Sequence, residues 1–206
     1  MISKKQLKIF EVFIRDSFKE YTFNEIKKLA KEKSNSLLQN AIKSYIKENL
    51  IKERKINNSK LYFINHENEI VYSYFSLITQ KFLSSDVKKT VNIIENELNK
   101  NILFYSLVIF GSYAENSQNK NSDLDLCIFI EDESKRKIAE AVINSAKNKS
   151  LLKIDAHIIT KEEFLEMLKD EKANLGKEIA RKHLISSNPE IFYSMLKKGV
   201  ENGFRF

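Results

Sequence analysis

In the stretch "SDLDLCIFI" two aspartates, Asp123 and Asp125, stand with a single leucine between them. Aspartate is disfavoured in strands, and two carboxylates on one strand face repel each other. In an extended chain both point the same way, with Cα atoms about 6–7 Å apart. Leu124, Leu126, Ile128 and Ile130 then take the opposite, core-facing side. A divalent cation removes the repulsion, so the pair reads as a metal-binding edge. The alternative is a solvated loop before a strand that begins at Leu126.

A third carboxylate lies in "LLKIDAHIIT", where Lys153, Asp155 and His157 share one strand face and Ile154, Ala156 and Ile158 the other. If the two strands pair, at the usual spacing of about 4.8 Å, Asp155 stands beside Asp123 and Asp125. Otherwise it is a surface residue of an edge strand. Three carboxylates make an oxygen-rich site suited to Mg²⁺ or Mn²⁺, and zinc is not expected without a His/Cys set. His157 is read as a strand residue near the site rather than a ligand.

Gly111 is the first glycine of the chain and the only one in its first 175 residues. It follows the apolar run "ILFYSLVIF". A glycine there permits a sharp turn at positive φ or lets a ligand approach bare backbone. With Ser112 after it, and Tyr113 to Asn116 able to form one helical turn, the free N–H groups and the hydroxyl suit a phosphate. Gly-Ser is also ordinary turn punctuation. Neither G-x-x-x-x-G-K-[ST] nor G-x-G-x-x-G occurs in the sequence.

These groups need a sheet to carry them. The run 102–110 reads as a buried strand, 123–130 as a second and 151–160 as a third, with a helix from about 134 to 147 crossing between the last two. Helices around 161–169, 174–185 and 190–198 finish the chain. Lys177, Arg181 and Lys182 read as a basic helix face in preference to a triphosphate contact. Upstream, residues 67–100 read as two helices, the second capped by Asp86. Helices flanking an apolar sheet make this part α/β or α+β.

Phe110-Gly111-Ser112, ten residues, then Asp123-Leu124-Asp125-Leu126, with a later strand aspartate, resembles the DNA polymerase beta nucleotidyltransferase superfamily. The likeness is strongest to its minimal prokaryotic type. It implies transfer of a nucleoside monophosphate from an NTP, ATP first, to an acceptor hydroxyl. In that scheme Gly111 and Ser112 hold the phosphates. Asp123, Asp125 and Asp155 are the catalytic residues and hold two Mg²⁺ or Mn²⁺ ions, and Asp155 takes the acceptor's proton.

The N-terminal third is different. Residues 1–65 carry 15 Lys and Arg against 7 Asp and Glu, a net +8, within a chain of net +7. Such asymmetry suits an anionic partner, nucleic acid before membrane; the plainer reading is solvated lysine on helix surfaces. A helix over 4–19 carries the stripe Leu7, Phe10, Ile14 and Phe18. A second, capped by Thr22 with Glu25 three residues on, buries Ile26, Leu29 and Ala30. A third, about 37–48 with Ser34 or Ser36 as cap, turns Leu38, Ala41, Ile42, Tyr45 and Ile46 inward. A hairpin turning at Asn57-Asn58-Ser59 follows. The set resembles a winged helix-turn-helix domain. That implies duplex-DNA contact through Lys43 and Lys47 of the third helix and Lys52, Arg54, Lys55 and Lys60 of the wing, or docking on a partner protein.

The expected organisation is therefore a winged helix over 1–65, a linker helix over 66–85 and a nucleotidyltransferase domain over 86–206. A DNA-binding regulator or antitoxin, with a nucleotide-sensing second domain, is the alternative. One cysteine excludes an internal disulfide framework. No apolar run reaches the ~18 residues of a membrane helix, and the start lacks the apolar core of a signal peptide. The cytosol is the expected compartment, with no membrane partner.

Overall fold

The apolar stripe near the N-terminus closes into α1 (Lys4–Ile14), which buries Leu7, Ile9, Phe10, Val12, Phe13 and Ile14. The structure is a computed structural model describing residues 2–14 and 16–206. It divides into two units, Met1–Ile78 and Thr79–Phe206, so the division falls inside the span expected to be a linker. The helix expected to reach residue 19 ends sooner. Residue 15 lies outside the described residues, and Lys19 N–H bonds Asp16 O at 3.2 Å in a turn.

β1 (Tyr21–Thr22) follows, too short for any period to reveal it. Thr22 caps α2 (Phe23–Leu29) in a reciprocal box. Glu25 N–H donates to Thr22 Oγ1 at 3.2 Å, and Thr22 N–H donates to Glu25 Oε2 at 2.8 Å. Ser34 caps α3 (Asn35–Lys47) through Leu37 N–H, at 3.2 Å. β2 (Ile51–Ile56) and β3 (Ser59–Ile64) form an antiparallel hairpin that turns at Asn57, φ 52°, and β1 adds to the far side of β3. Within this unit Phe10 and Tyr45 meet edge to face at 5.1 Å. Leu29 and Ile46, expected inward, are 55% and 37% exposed. Both lie in the last turn of a short helix, where one or two residues per turn already fill the buried arc.

α4 (Ile70–Phe82) buries Val71, Tyr72, Phe75 and Ile78. α5 (Ser85–Asn101) is capped by Ser84 and not by Asp86, with Val87 N–H donating to Ser84 Oγ at 3.4 Å. β4 (Tyr105–Ile109) is fully buried and shorter than expected, leaving Leu103 84% exposed. Then come α6 (Gly111–Glu115), β5 (Leu124–Ile130), a 3₁₀ turn and α7 (Arg136–Lys149), and β6 (Ile154–Thr160). α8 (Lys161–Lys169), α9 (Leu175–Arg181), β7 (Leu184–Ser187) and α10 (Pro189–Glu201) complete the chain.

The second sheet has the order β6-β5-β4-β7, and its only parallel pair is β5 with β6. That pair is the one joined by a crossover helix, as parallel strands require. Leu124, Leu126, Ile128 and Ile130 share one buried cluster with Val91, Ile94 and Leu98 of α5 and Val142 and Ile143 of α7. On the opposite face Phe129 meets Phe164 of α8 at 4.7 Å and Phe192 of α10 at 5.3 Å. Both faces are thus covered by helices, and the aspartate side of β5 runs inward into buried Cys127 and Phe129. The unit is a helix-flanked mixed α+β sheet. Among the described residues no helix is long and apolar enough to cross a membrane.

Candidate functional site

β4 delivers the chain to Gly111 in the left-handed region, φ +61°. A β-carbon built on Gly111 would stand 2.1 Å from Asp125 Oδ2 and 2.9 Å from its Cγ. Two demands meet at this residue: a backbone conformation that costs an L-residue about 1–2 kcal/mol, and the carboxylate itself, which fills the volume a side chain would need. The backbone adds a third tie, Phe110 N–H to Asp125 O at 3.1 Å. The glycine is therefore fixed by Asp125 as much as by the turn. α6 starts here and closes at Asn116, also left-handed, with Ser117 N–H returning to Ser112 O at 2.9 Å. Ser112 lies half-buried in the first turn.

In the parallel register of β5 and β6, Asp125 sits directly opposite Asp155. Asp123, one step before β5, lies beside Lys153, and Lys153 Nζ donates to Asp123 Oδ2 at 2.7 Å. Asp155 is exposed, and His157 Nε2 comes within 3.8 Å of its Oδ1. The structure thus gathers Gly111, Asp123, Asp125 and Asp155 at one end of the sheet. It adds Glu178 of α9, which no local spacing signals, because the topology alone carries it there. Burial pushes the Asp125 carboxyl above its usual range, and the charges of Asp155, Asp123 and Glu178 push it the same way.

A cleft of about 530 Å³ opens between α6 and α9, lined by Glu115, Asn174, Glu178, Arg181 and Lys182 among others. Lys182 is ion-paired with Glu115 across it. Lys177 belongs neither to this cleft nor to a basic face. It is 8% exposed, and its Nζ donates to the Asp170 carbonyl, tying α9 to the end of α8. Asn174 caps α9 through Lys177 N–H, which explains the burial: the first turn is pinned under the preceding loop.

Among the described residues no three His, Cys, Asp or Glu side chains are gathered closely enough to hold a metal ion. Asp123 is turned to Lys153, and Asp155 lies open to solvent. By donor chemistry the set still fits a hard divalent cation: carboxylate oxygens at adjacent strand positions, with Asp125 under the repulsion of its neighbours.

The six basic candidates of the N-terminal unit separate into two groups. Lys52 pairs with Glu67 at 2.5 Å, Arg54 with Glu20 at 2.5 Å and Lys60 with Glu53 at 2.8 Å. Lys43, Lys47 and Lys55 are exposed, and no ion pair joins them among the described residues. Lys55 faces Lys60 across the hairpin.

Residues 87–183, from α5 to just beyond α9, match the family model described as a nucleotidyltransferase domain. No curated protein matches the chain. Among solved structures, one described as "Crystal structure of the toxin-antitoxin with AMP-PNP" is similar at 17% identity, over 54% of this chain and 84% of that chain, with a TM-score of 0.37. That likeness is too slight to bear on fold or function.

Proposed function

We propose that this chain, a nucleotidyltransferase enzyme by the domain at residues 87–183, transfers a nucleoside monophosphate from an NTP to an acceptor hydroxyl on a protein or nucleic acid. The observation that carries the reading is the meeting of Gly111 with Asp125 and of Asp125 with Asp155. A glycine held open against a carboxylate, beside a second carboxylate on the next strand, has little purpose in a purely structural sheet end. ATP is the first candidate donor.

In this reading Asp123, Asp125 and Asp155 hold the divalent cation, Mg²⁺ or Mn²⁺. When bound, it neutralises charge on the transferring phosphoryl group. The N–H groups at Gly111 and Ser112, with the Ser112 hydroxyl, hold the outer phosphates. The acceptor oxygen bonds to the α-phosphorus, the bond from that phosphorus to its bridging oxygen breaks, and pyrophosphate leaves. The acceptor's proton passes to a carboxylate oxygen of Asp155, whose side chain is exposed. The chain's own contribution is positioning and charge placement. The proposed compartment is the cytosol, where NTP is plentiful.

The order α1-β1-α2-α3-β2-β3, with its strands in one antiparallel sheet, supports a winged helix-turn-helix for residues 1–65. Its proposed role is to dock the enzyme on its acceptor, duplex DNA being the first candidate through Lys43, Lys47 and Lys55. The ion pairs already made by Lys52, Arg54 and Lys60 reduce the free positive charge that the wing itself offers to phosphate.

The test is incubation with each labelled NTP, Mg²⁺ and cell lysate, followed by a search for labelled macromolecules. Label transfer that disappears in Asp123→Ala/Asp125→Ala supports the reading. Transfer that persists in that variant, or none with any NTP, counts against it.

A further inference from the structure

At the mouth of the carboxylate site stands a cation of the chain's own, Lys153. Leu124 N–H donates to Lys153 O at 2.8 Å, so the backbones of the two strands are already joined where Asp123 and Lys153 meet. From there Lys153 Nζ reaches Asp123 Oδ2 at 2.7 Å. Period-2 alternation puts Lys153 on the same strand face as Asp155, two residues on, and Asp123 on the same face as Asp125. Lys153 and the three carboxylates therefore form a four-cornered set at the starts of two adjacent strands, an ammonium beside three carboxylates.

We propose that Lys153 is a positioning residue of this site: its ammonium holds the Asp123 carboxylate in line with the other two until a divalent cation takes its place. The proposal rests on the reading of Asp123, Asp125 and Asp155 as the cation's ligands. Its physical content is competition. An oxygen that accepts from an ammonium at 2.7 Å cannot at the same time give that lone pair to a metal ion. The ammonium is also easily displaced, because the Lys153 side chain is 79% exposed while that of Asp123 is 30% exposed. Water can take over the lysine as it leaves, whereas the carboxylate stays in the site. The ammonium is in hydrogen-bond contact with Asp123, and Asp155 lies two residues along the chain on the same face. The lysine thereby lowers the repulsion among the three carboxylates when no other cation is there, and it makes metal binding weaker than the bare carboxylates would allow.

The consequence is graded by charge and independent of turnover. Mn²⁺ is titrated into the full chain and free Mn²⁺ is read by electron paramagnetic resonance. Lys153→Met keeps the stem and removes the charge; it binds Mn²⁺ roughly 2- to 5-fold more tightly, the range set by an exposed ion pair. Lys153→Arg keeps the charge and stays near the parent. Lys153→Glu binds more tightly than Lys153→Met. In an Asp123→Asn background the change at Lys153 has much less effect, because the group through which it acts is gone.

Equal Mn²⁺ affinity in the parent and Lys153→Met, with binding still lost in Asp123→Ala/Asp125→Ala, overturns the role of Lys153 and leaves the carboxylate site standing. A gain that is the same size in the Asp123→Asn background makes the lysine part of the general field and also overturns it. Absence of Mn²⁺ binding by both parent and Lys153→Met overturns this proposal together with the reading beneath it.

Discussion

Gly111 and Asp125 occupy each other's space: the place a β-carbon would take on the glycine is 2.1 Å from a carboxylate oxygen of the aspartate. One residue opens α6 just after β4 and the other lies on β5, and the Phe110 N–H bond to Asp125 O ties the end of β4 to β5 there. The glycine's role is thus specific to its partner. It lets a charged group sit against the backbone of the turn that opens α6.

Gly111→Ala follows directly from this. The alanine must hold φ +61° and displace the Asp125 carboxylate. Stabilisation by Mg²⁺ with NTP, read as a rise in Tm, should fall to a small fraction of the parent's or vanish. The N-terminal unit should stay folded by circular dichroism. An unchanged Tm rise would reduce Gly111 to turn punctuation.

Asp125→Asn tests the same carboxylate from the side of stability. Burial, then the charges of Asp155, Asp123 and Glu178, raise the carboxyl in the folded state above its usual range. The folded chain therefore holds this proton more tightly than the unfolded one. Its contribution to stability is present at low pH and is lost as pH rises through the interval between the unfolded and folded values. Without added metal at neutral pH, Asp125→Asn should melt higher than the parent, by roughly 2–4 °C for each ~1 kcal/mol recovered. The gap should close towards about pH 3.5, below the ordinary aspartate value. A variant that melts lower at neutral pH would mean that the ionised carboxylate is compensated in the metal-free chain.

How much of this was legible in the sequence depends on whether a residue's role is local. Thr22 and Glu25 announce their capping box three residues apart, and Asn57 announces its turn. Asp123, Asp125 and Asp155 are readable because strands alternate, and the β5–β6 register brings the last two opposite each other. Glu178 is unreadable, for nothing near it in sequence marks its approach to Asp125. β7 was hidden, with Leu184 and Ile185 inside an expected helix over 174–185 and Ser186 and Ser187 in the gap before the next expected helix. Its four residues are held as a strand by distant partners: pairing with β4, Ser106 Oγ donating to Ser187 O at 3.0 Å, and Ser186 Oγ donating to Glu95 Oε1 at 2.8 Å. Lys177 misled in the same way, since helix periodicity cannot foresee a loop carbonyl waiting for its ammonium.

Arg136 is the residue whose loss should cost most at the sheet end away from the site. Its Nη1 donates to Ile158 O at 2.6 Å, its Nη2 to both Glu163 oxygens at 2.8 and 2.7 Å, and its Nε to Glu133 at 2.7 Å. Glu163 is at the same time the return partner of the Thr160 cap on α8. Lysine can supply the charge but not the fork. Arg136→Lys should lower stability by about 1–3 kcal/mol, the worth of charge-assisted bonds, read by thermal melting. Mn²⁺ affinity should be unchanged, since β6 enters the site at its opposite end. A variant as stable as the parent would mark the network as surface decoration.

The basic residues of the N-terminal unit make unequal contributions in the proposed duplex binding, and the inequality is measurable. Each lysine that contacts phosphate adds about 0.9 to the log–log salt slope of duplex affinity. Lys43, Lys47 and Lys55 are exposed with no ion pair among the described residues, whereas Lys52, Arg54 and Lys60 must first give up Glu67, Glu20 and Glu53. In the full chain, Lys43→Ala, Lys47→Ala and Lys55→Ala together should flatten the slope by roughly 2–3. The corresponding triple change at Lys52, Arg54 and Lys60 should flatten it less, because it leaves three carboxylates uncovered and weakens affinity mainly through their repulsion. Mn²⁺ binding at the carboxylates should be the same in both variants. Fluorescence anisotropy with a labelled duplex at about 0.15 M ionic strength, where exposed charges are screened beyond ~8 Å, reads the outcome. If the folded parent binds no duplex there, the nucleic-acid assignment fails, and docking on a partner protein, the other expectation for this unit, takes its place.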